Sequence, residues 1–353
     1  MDDFFSYDVV NWDKPFERNQ QVKKDPVGNE VLIKITASGL CHSDIHIRKG
    51  FFDLGEKGIH TLEQRGAKLP VTIGHEIAGE VIEIGSTVKN LSIGQSVIVF
   101  PWIGCGGCLA CDEDRESDCT NMNIIGINQN GGFASHVLVQ DEKFVFDITG
   151  LDPAKVAPYA CSGLTVYNAL TKLGELRDGE WLAVLGTGGL GLNAISIAKA
   201  LGYKNIIAID IDDTKLAAAV EMGADQTLNS KSKTASNDLI ALCEGRLFGV
   251  IDTFGSQETA NLAVSTLTKT GRYVTVGLYG GDFIMPQVWL PQKAMTVRGS
   301  HVGNSPQLKI LIEMYRDGKL KDIPIEKRPL SEINNAMNDL ENGRVTGRII
   351  LCP

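Results

Sequence analysis

Hydrophobic positions fall into two textures along the chain. Up to about residue 160, short β-rich runs are broken by glycine: Val31–Thr36, Ile77–Ile84 and Ser96–Phe100 read as strands, with Gly85-Ser86 and Ile93-Gly94-Gln95 as turns between them. This pattern predicts a distorted β-barrel rather than a layered sheet. From about residue 163, wholly apolar runs alternate with amphipathic ones. Trp181–Leu185 precedes a helix expected over 190–201, and Asn205–Asp210 precedes one expected over 214–222; Gly249–Phe254 and Gly271–Val276 keep the rhythm as strands. Apolar strands between amphipathic helices indicate a parallel sheet covered on both faces. Beyond about residue 300, helices are expected over 307–317 and 331–341, connecting chain over Pro324–Pro329, and a last strand at Arg348–Leu351. An α/β protein follows, in which a barrel-like domain (1–162, completed by 301–353) is interrupted by a doubly wound nucleotide-binding domain (163–300).

Length agrees, since 353 residues exceed what one hydrophobic core usually serves. The formal net charge of −9 argues against a nucleic-acid partner, which would need clustered Lys and Arg. No apolar run approaches the roughly 20 residues that span a bilayer, so no membrane partner is expected. The start, Met1-Asp2-Asp3-Phe4, is acidic where a signal peptide would be basic. A cytoplasmic protein with reduced thiols is the expectation, and its eight cysteines need an explanation other than disulfides.

Gly186-Thr-Gly188-Gly189-Leu190-Gly191 matches the dinucleotide-binding fingerprint. Alone such a string is weak, because glycine is common. Here a strand ends on it, a helix starts from it, and Asp210 closes the next strand 24 residues after Gly186. The first glycine permits the turn, the second lets a pyrophosphate approach the backbone, and the third lets helix and strand pack closely. The helix N-terminus offers unpaired N–H groups to phosphate. Asp210 is suited to the adenosine ribose hydroxyls, and with Asp212 and Asp213 close behind it disfavours a 2′-phosphate, which selects NAD over NADP.

Four cysteines lie together as Cys105-x2-Cys108-x2-Cys111-x7-Cys119, with Gly106 and Gly107 free to curl around a metal. Four thiolates on one short lobe suit a closed tetrahedral zinc site, although iron–sulfur ligation uses similar spacings. Cys41, His75 and Cys161 are scattered. Singly, each reads as a buried thiol or a satisfied core histidine.

Taken in order, Gly39-Leu-Cys41-His-Ser43-Asp44, Gly74-His75-Glu76-x2-Gly79, the four-cysteine lobe, Cys161-x3-Thr165 and the glycine turn resemble the zinc-containing alcohol dehydrogenases of the medium-chain dehydrogenase/reductase superfamily. The resemblance runs from about residue 30 to the end. It implies a GroES-like distorted β-barrel interrupted by a Rossmann domain, two zincs per chain, and NAD. Cys41, His75 and Cys161 would hold a catalytic zinc, with the four-cysteine lobe holding a structural one. Asp44 would orient His75, and Glu76 would be the acidic neighbour of the metal. Ser43 would take the alcohol proton and His46 would carry it to solvent by way of the nicotinamide ribose. Thr165 and Leu190 would meet the nicotinamide, Lys215 the adenosine ribose, and Arg348 the pyrophosphate. A homodimer or homotetramer pairing near Met295–His301 is implied as well.

The segment between Cys41 and His75 is longer than the resemblance leads one to expect, with the extra residues around Phe51–Lys68. Phe52, Trp102 and Leu278 are the candidates for an apolar substrate pocket. The expected activity is reversible oxidation of a primary or secondary alcohol. The alternatives are a related polyol, amino-alcohol or hydroxymethyl-thiol dehydrogenase, or a non-catalytic NAD-binding redox sensor. Ser43 and His46 count against the sensor, which needs no proton relay.

Overall fold

The computed structural model describes residues 4–353; the acidic start Met1–Asp3 lies outside the described residues. Two sheets organise the chain. The first is built around the strand Val31–Gly39, whose alternating apolar residues let it pair on both edges. It is antiparallel to Glu76–Ile84 along its whole length, to His136–Val139 over Val31–Lys34, and to Arg348–Cys352 at Ser38–Gly39. Ser96–Val99 and Val145–Asp147 extend one side of the sheet, and Ile325–Pro329 the other. The C-terminal strand therefore sits beside the segment that leads into Cys41.

The second sheet has six parallel strands: Gln226–Asn229, Asn205–Asp210, Trp181–Leu185, Leu247–Asp252, Arg272–Thr275 and Thr296–Gly299. Numbered by chain position, their order is 3-2-1-4-5-6, which places a crevice at the carboxyl ends of the first and fourth strands, where the winding reverses. Trp181–Leu185 and Asn205–Asp210 are buried on both faces, as their apolar runs predict. Helices Ser162–Leu173, Gly189–Ala200, Asp213–Met222, Ala235–Leu242 and Gln257–Thr266 form the cover. Among the described residues, no helix is long and apolar enough to cross a membrane.

Observed bounds fall within two residues of those expected for most elements. The Pro324–Pro329 stretch departs from expectation: Ile325–Pro329 is a strand, parallel to Arg348–Cys352 from Ile325↔Arg348 to Pro329↔Cys352. Its Glu-Lys-Arg run is polar because an edge strand needs only one paired side. Phe51–Lys68 is not one loop. It holds a hairpin, Phe51–Asp53 with Ile59–Thr61, and a short 3₁₀ turn, Glu63–Arg65.

Candidate active site

A cleft of ≈ 2010 Å³ runs between the two sheets, well above the roughly 300–1,000 Å³ of a drug-sized pocket. It has room for a dinucleotide together with a second ligand. The glycine turn forms part of its wall. Gly186 has φ 82°, a left-handed value that favours glycine, and a Cβ on Gly191 would stand 1.9 Å from the Gly186 carbonyl. Beside Gly188 a Cβ would meet nothing within 4 Å, so the space a phosphate needs is open. Gly189, Leu190, Thr165, Asp210, Lys215 and Arg348 line the same cleft.

Asp210 is more committed than the sequence suggests. One carboxylate oxygen accepts from Thr187 N at 2.7 Å and Thr187 Oγ1 at 2.9 Å; the other accepts from the N–H groups of Ile211 at 2.7 Å and Asp212 at 3.1 Å. The carboxylate braces the turns on either side of it, and a ribose would have to share these acceptors.

Three distant segments converge on the other wall. Cys41 caps the helix His42–Lys49, and its N–H donates to Asp44 Oδ2 at 2.8 Å, so the turn that fixes Asp44 also aims the thiol. His75 immediately precedes the strand Glu76–Ile84, and Cys161 precedes the helix Ser162–Leu173. The ligand atoms of Cys41, His75 and Cys161 lie within 4.8 Å of one another, all three residues are buried, and the two Sγ atoms are 4.0 Å apart. Two thiolates at about 2.3 Å from a tetrahedral zinc would be about 3.8 Å apart, so the donor set fits that ion. Three protein donors leave a fourth position open to the cleft. The bond with Cys161 holds the Cys41 thiol well below its ordinary range against the effect of burial, and Arg348 and His75 add to it.

Around this set, Asp44 Oδ1 is 3.1 Å from His75 Nδ1, an ion-pair contact between two fully buried groups. Ser43 Oγ is 3.3 Å from His75 Nε2. Glu76 is completely buried; its Oε1 lies 3.1 Å from Arg348 Nη2 and accepts from Ser162 N at 3.2 Å, while Oε2 has no partner. Burial pushes the Glu76 carboxyl up to about 8 despite Arg348. Gly39 makes this placement possible, since a Cβ there would stand 2.1 Å from Glu76 Oε2. Arg348 also donates to Leu40 O at 3.1 Å and packs under Gly189, which joins the metal-ligand cluster to the glycine turn.

His46 lies one helical turn beyond Ser43, and no hydrogen bond joins the two. Its ring stacks on Phe52 at 5.4 Å and its Nε2 is buried without a partner. Trp102 donates to Ala160 O at 2.9 Å and stands 5.4 Å from His75, edge to face. Phe52, Trp102 and Leu278 all line the cleft.

Cys105, Cys108, Cys111 and Cys119 form a second cluster, their sulfurs within 4.8 Å of one another. Gly106 supplies the left-handed turn at φ 72°, and a Cβ on Gly104 would stand 2.4 Å from Cys111 Sγ. Cys119 is pushed up by burial but held down to about 7 by the N–H groups of Cys105 and Asn121, which point at its sulfur at 3.3 and 3.4 Å; Cys111 is pushed up to about 11 by burial. Cys119 and Asn121 also line the cleft, while Cys105 faces solvent and Cys111 is buried.

Two residues at the cleft have no counterpart among the sequence expectations. His42 lines the wall near Lys215 and Arg348, and its adjacency to Cys41 was the available signal. His301 stands 5.8 Å from Trp102. It is exposed to the cleft, and desolvation lowers its pKa. Nothing local in the sequence marks it.

Comparison with known proteins agrees with this geometry. Residues 28–149 match the alcohol dehydrogenase GroES-like domain family, and residues 189–317 the zinc-binding dehydrogenase family. The chain is 37% identical over 347 residues to an NAD-dependent alcohol dehydrogenase of Sulfurisphaera tokodaii, covering 98% of this chain and 99% of that protein. It is 35% identical, with the same coverage, to an NAD-dependent alcohol dehydrogenase of Saccharolobus solfataricus. The crystal structure of the alcohol dehydrogenase from Aeropyrum pernix superimposes with a TM-score of 0.90 at 30% identity, covering 99% of this chain and 100% of that one. The chain belongs to the zinc-containing alcohol dehydrogenase family of the medium-chain dehydrogenase/reductase superfamily.

Proposed function

We propose that this enzyme oxidises a primary or secondary alcohol reversibly to an aldehyde or ketone with NAD, and that it holds two zincs per chain. The observation that carries this reading is the convergence of Cys41, His75 and Cys161 on the cleft that also contains the glycine turn. Residues 1–162 with 301–353 form the catalytic part and 163–300 the NAD-binding part.

Bound at these sites, zinc would supply a Lewis acid that acidifies a hydroxyl, and NAD a hydride acceptor. Cys41, His75 and Cys161 are the zinc-holding residues, and Cys105, Cys108, Cys111 and Cys119 hold the structural ion. Asp44 keeps a proton on His75 Nδ1, which leaves the Nε2 lone pair free to ligate. Ser43 Oγ is the hydroxyl nearest this set and receives the substrate proton as it releases its own. His46, held neutral by burial, presents an unpaired Nε2 as the outer acceptor. Because no bond joins Ser43 to His46, one bridging hydroxyl is needed between them. Trp102 and Phe52 exclude water. Thr165 and Leu190 flank the nicotinamide, Gly188 leaves room for the pyrophosphate beside Arg348, and Asp210 and Lys215 meet the adenosine ribose.

All eight cysteines are free, as a reducing cytoplasm would keep them. Thr296–Gly299 is an exposed edge strand, suited to pairing two copies into a homodimer or tetramer. A panel of alcohols followed by NADH absorbance tests the activity. Oxidation of at least one alcohol is expected. Failure with every alcohol, aldehyde and ketone by fully zinc-loaded protein would overturn it.

A further inference from the structure

We propose that the mouth of the substrate cleft binds a carboxylate, so that the preferred substrates are alcohols and aldehydes whose apolar chain ends in a carboxylate group. The proposal rests on the alcohol dehydrogenase reading above and adds the far end of the substrate to it. Its centre is Arg65, at the end of the 3₁₀ turn that follows the Phe51–Thr61 hairpin.

Arg65 lines the cleft, with its guanidinium 5.8 Å from the centre of the Phe52 ring. Phe52 stacks in turn on His46 at 5.4 Å. Phe52 thus contacts both the guanidinium and His46, and all three line the cleft. Phe52, Leu62 and Trp102 supply apolar lining to the same cleft. A substrate whose hydroxyl reaches the metal ligands extends its chain along this wall toward Arg65.

Asp53, Glu63, Asp282 and Glu341 each hold another partner. Asp53 accepts from Gly55 N at 2.8 Å, and Glu63 from Trp12 Nε1 at 2.8 Å. Asp282, across the cleft, accepts from Glu56 N at 2.9 Å and ties the hairpin to the nucleotide-binding side. Glu341 pairs with Arg48 at 3.0 Å and Lys49 at 2.6 Å. Arg65 makes no ion pair among the described residues. A guanidinium without an ion pair at the mouth of a cleft offers its donors to an anion from outside the protein, a local attraction that works against the repulsion from a chain of net charge −9. Stacking on Phe52 limits the freedom of its planar fork, which matches a carboxylate in bidentate geometry. Arg65 brings a single guanidinium to this mouth, and desolvation lowers the pKa of His301 in the same cleft, with Arg65 contributing. That favours a monoanionic carboxylate over a phosphate dianion.

Kinetics of the zinc- and NAD-loaded enzyme with hexanol and with ω-hydroxyhexanoate, in the wild type, Arg65→Gln and Arg65→Lys, test this directly. The wild type should favour ω-hydroxyhexanoate in kcat/KM. Arg65→Gln should lower the acid-to-alcohol ratio about tenfold, the scale of one charge-assisted contact, through the KM of the acid. Arg65→Lys should keep part of the preference, because charge remains but the fork is lost. Added salt should reduce the ratio in the wild type more than in Arg65→Gln. A wild type that prefers hexanol, or a ratio unmoved by Arg65→Gln, overturns the proposal. Equilibrium binding of the two compounds, read by tryptophan fluorescence, separates this from the underlying reading. If neither compound is oxidised but ω-hydroxyhexanoate binds more tightly and Arg65→Gln abolishes the difference, the carboxylate site stands and the dehydrogenase reading fails. Equal binding overturns the carboxylate site.

Discussion

His75 Nδ1 lies 3.1 Å from Asp44 Oδ1 in a fully buried pair, and the other Asp44 oxygen accepts the N–H of Cys41. One carboxylate thus orients two of the three candidate zinc ligands. Asp44→Asn preserves the shape but removes the charge that supports the histidine tautomer. It should weaken zinc at this site about 10–100-fold and leave the four-cysteine site alone. Competition with a chromophoric chelator resolves the two ions; loss of both together would contradict this.

Arg348 and Glu76 form a buried pair at 3.1 Å beneath Gly189. Above about pH 8, where the Glu76 carboxyl ionises, removing Arg348 leaves that charge unpaired in the interior. Arg348→Met should destabilise the protein by about 3–5 kcal/mol in urea unfolding. The double variant with Glu76→Gln should recover part of that loss, and additive losses would show that the pair is not coupled.

His46 gives a pH signature of definite sign. Burial first, then the charges of His42 and Lys49, lower its pKa from 6.5 to about 4. Between about pH 4 and 6.5 the unfolded chain binds a proton here that the folded chain does not. Stability therefore rises with pH across that window, is fully present above 6.5, and falls as the pH drops toward 4. His46→Gln should flatten the dependence of the urea midpoint over this range, and a slope equal to that of the wild type would contradict it.

Asp210 accepts from Thr187 and from Ile211 and Asp212 at once. Asp210→Ala should raise the KM for NAD by about tenfold or more, the scale of a lost charged acceptor, and narrow the preference over NADP by removing the repelling charge. Thermal stability should fall as well, because two turns lose their brace. An unchanged NAD-to-NADP ratio would remove Asp210 from cofactor selection.

Legibility in the sequence followed locality. Cys105 to Cys119 and Gly186 to Gly191 announce themselves because a closed metal lobe and a phosphate turn are made from consecutive residues. The strands Trp181–Leu185 and Asn205–Asp210 were readable because burial on both faces leaves an unbroken apolar run. Cys41, His75 and Cys161 have no local signature; only a whole-chain resemblance draws them together, and the sheet around Val31–Gly39 brings them near. The Ile325–Pro329 strand escaped because its polar run pairs on one side only. His301 and Arg65 escaped for a related reason. What matters about them is which rings and charges face them across the cleft, and that is a property of the tertiary structure.

The proposed function rests on two zincs with separate duties, one at each cysteine group. Metal content measured by mass spectrometry on the wild type, Cys161→Ala and Cys108→Ala, with activity and unfolding midpoint recorded for each, tests it most directly. Two zincs per chain are expected in the wild type. Cys161→Ala should lose one zinc and its activity while unfolding near the wild-type midpoint, and Cys108→Ala should lose the other zinc and chiefly lose stability. No zinc in the wild type, or the two variants exchanging these behaviours, would contradict it.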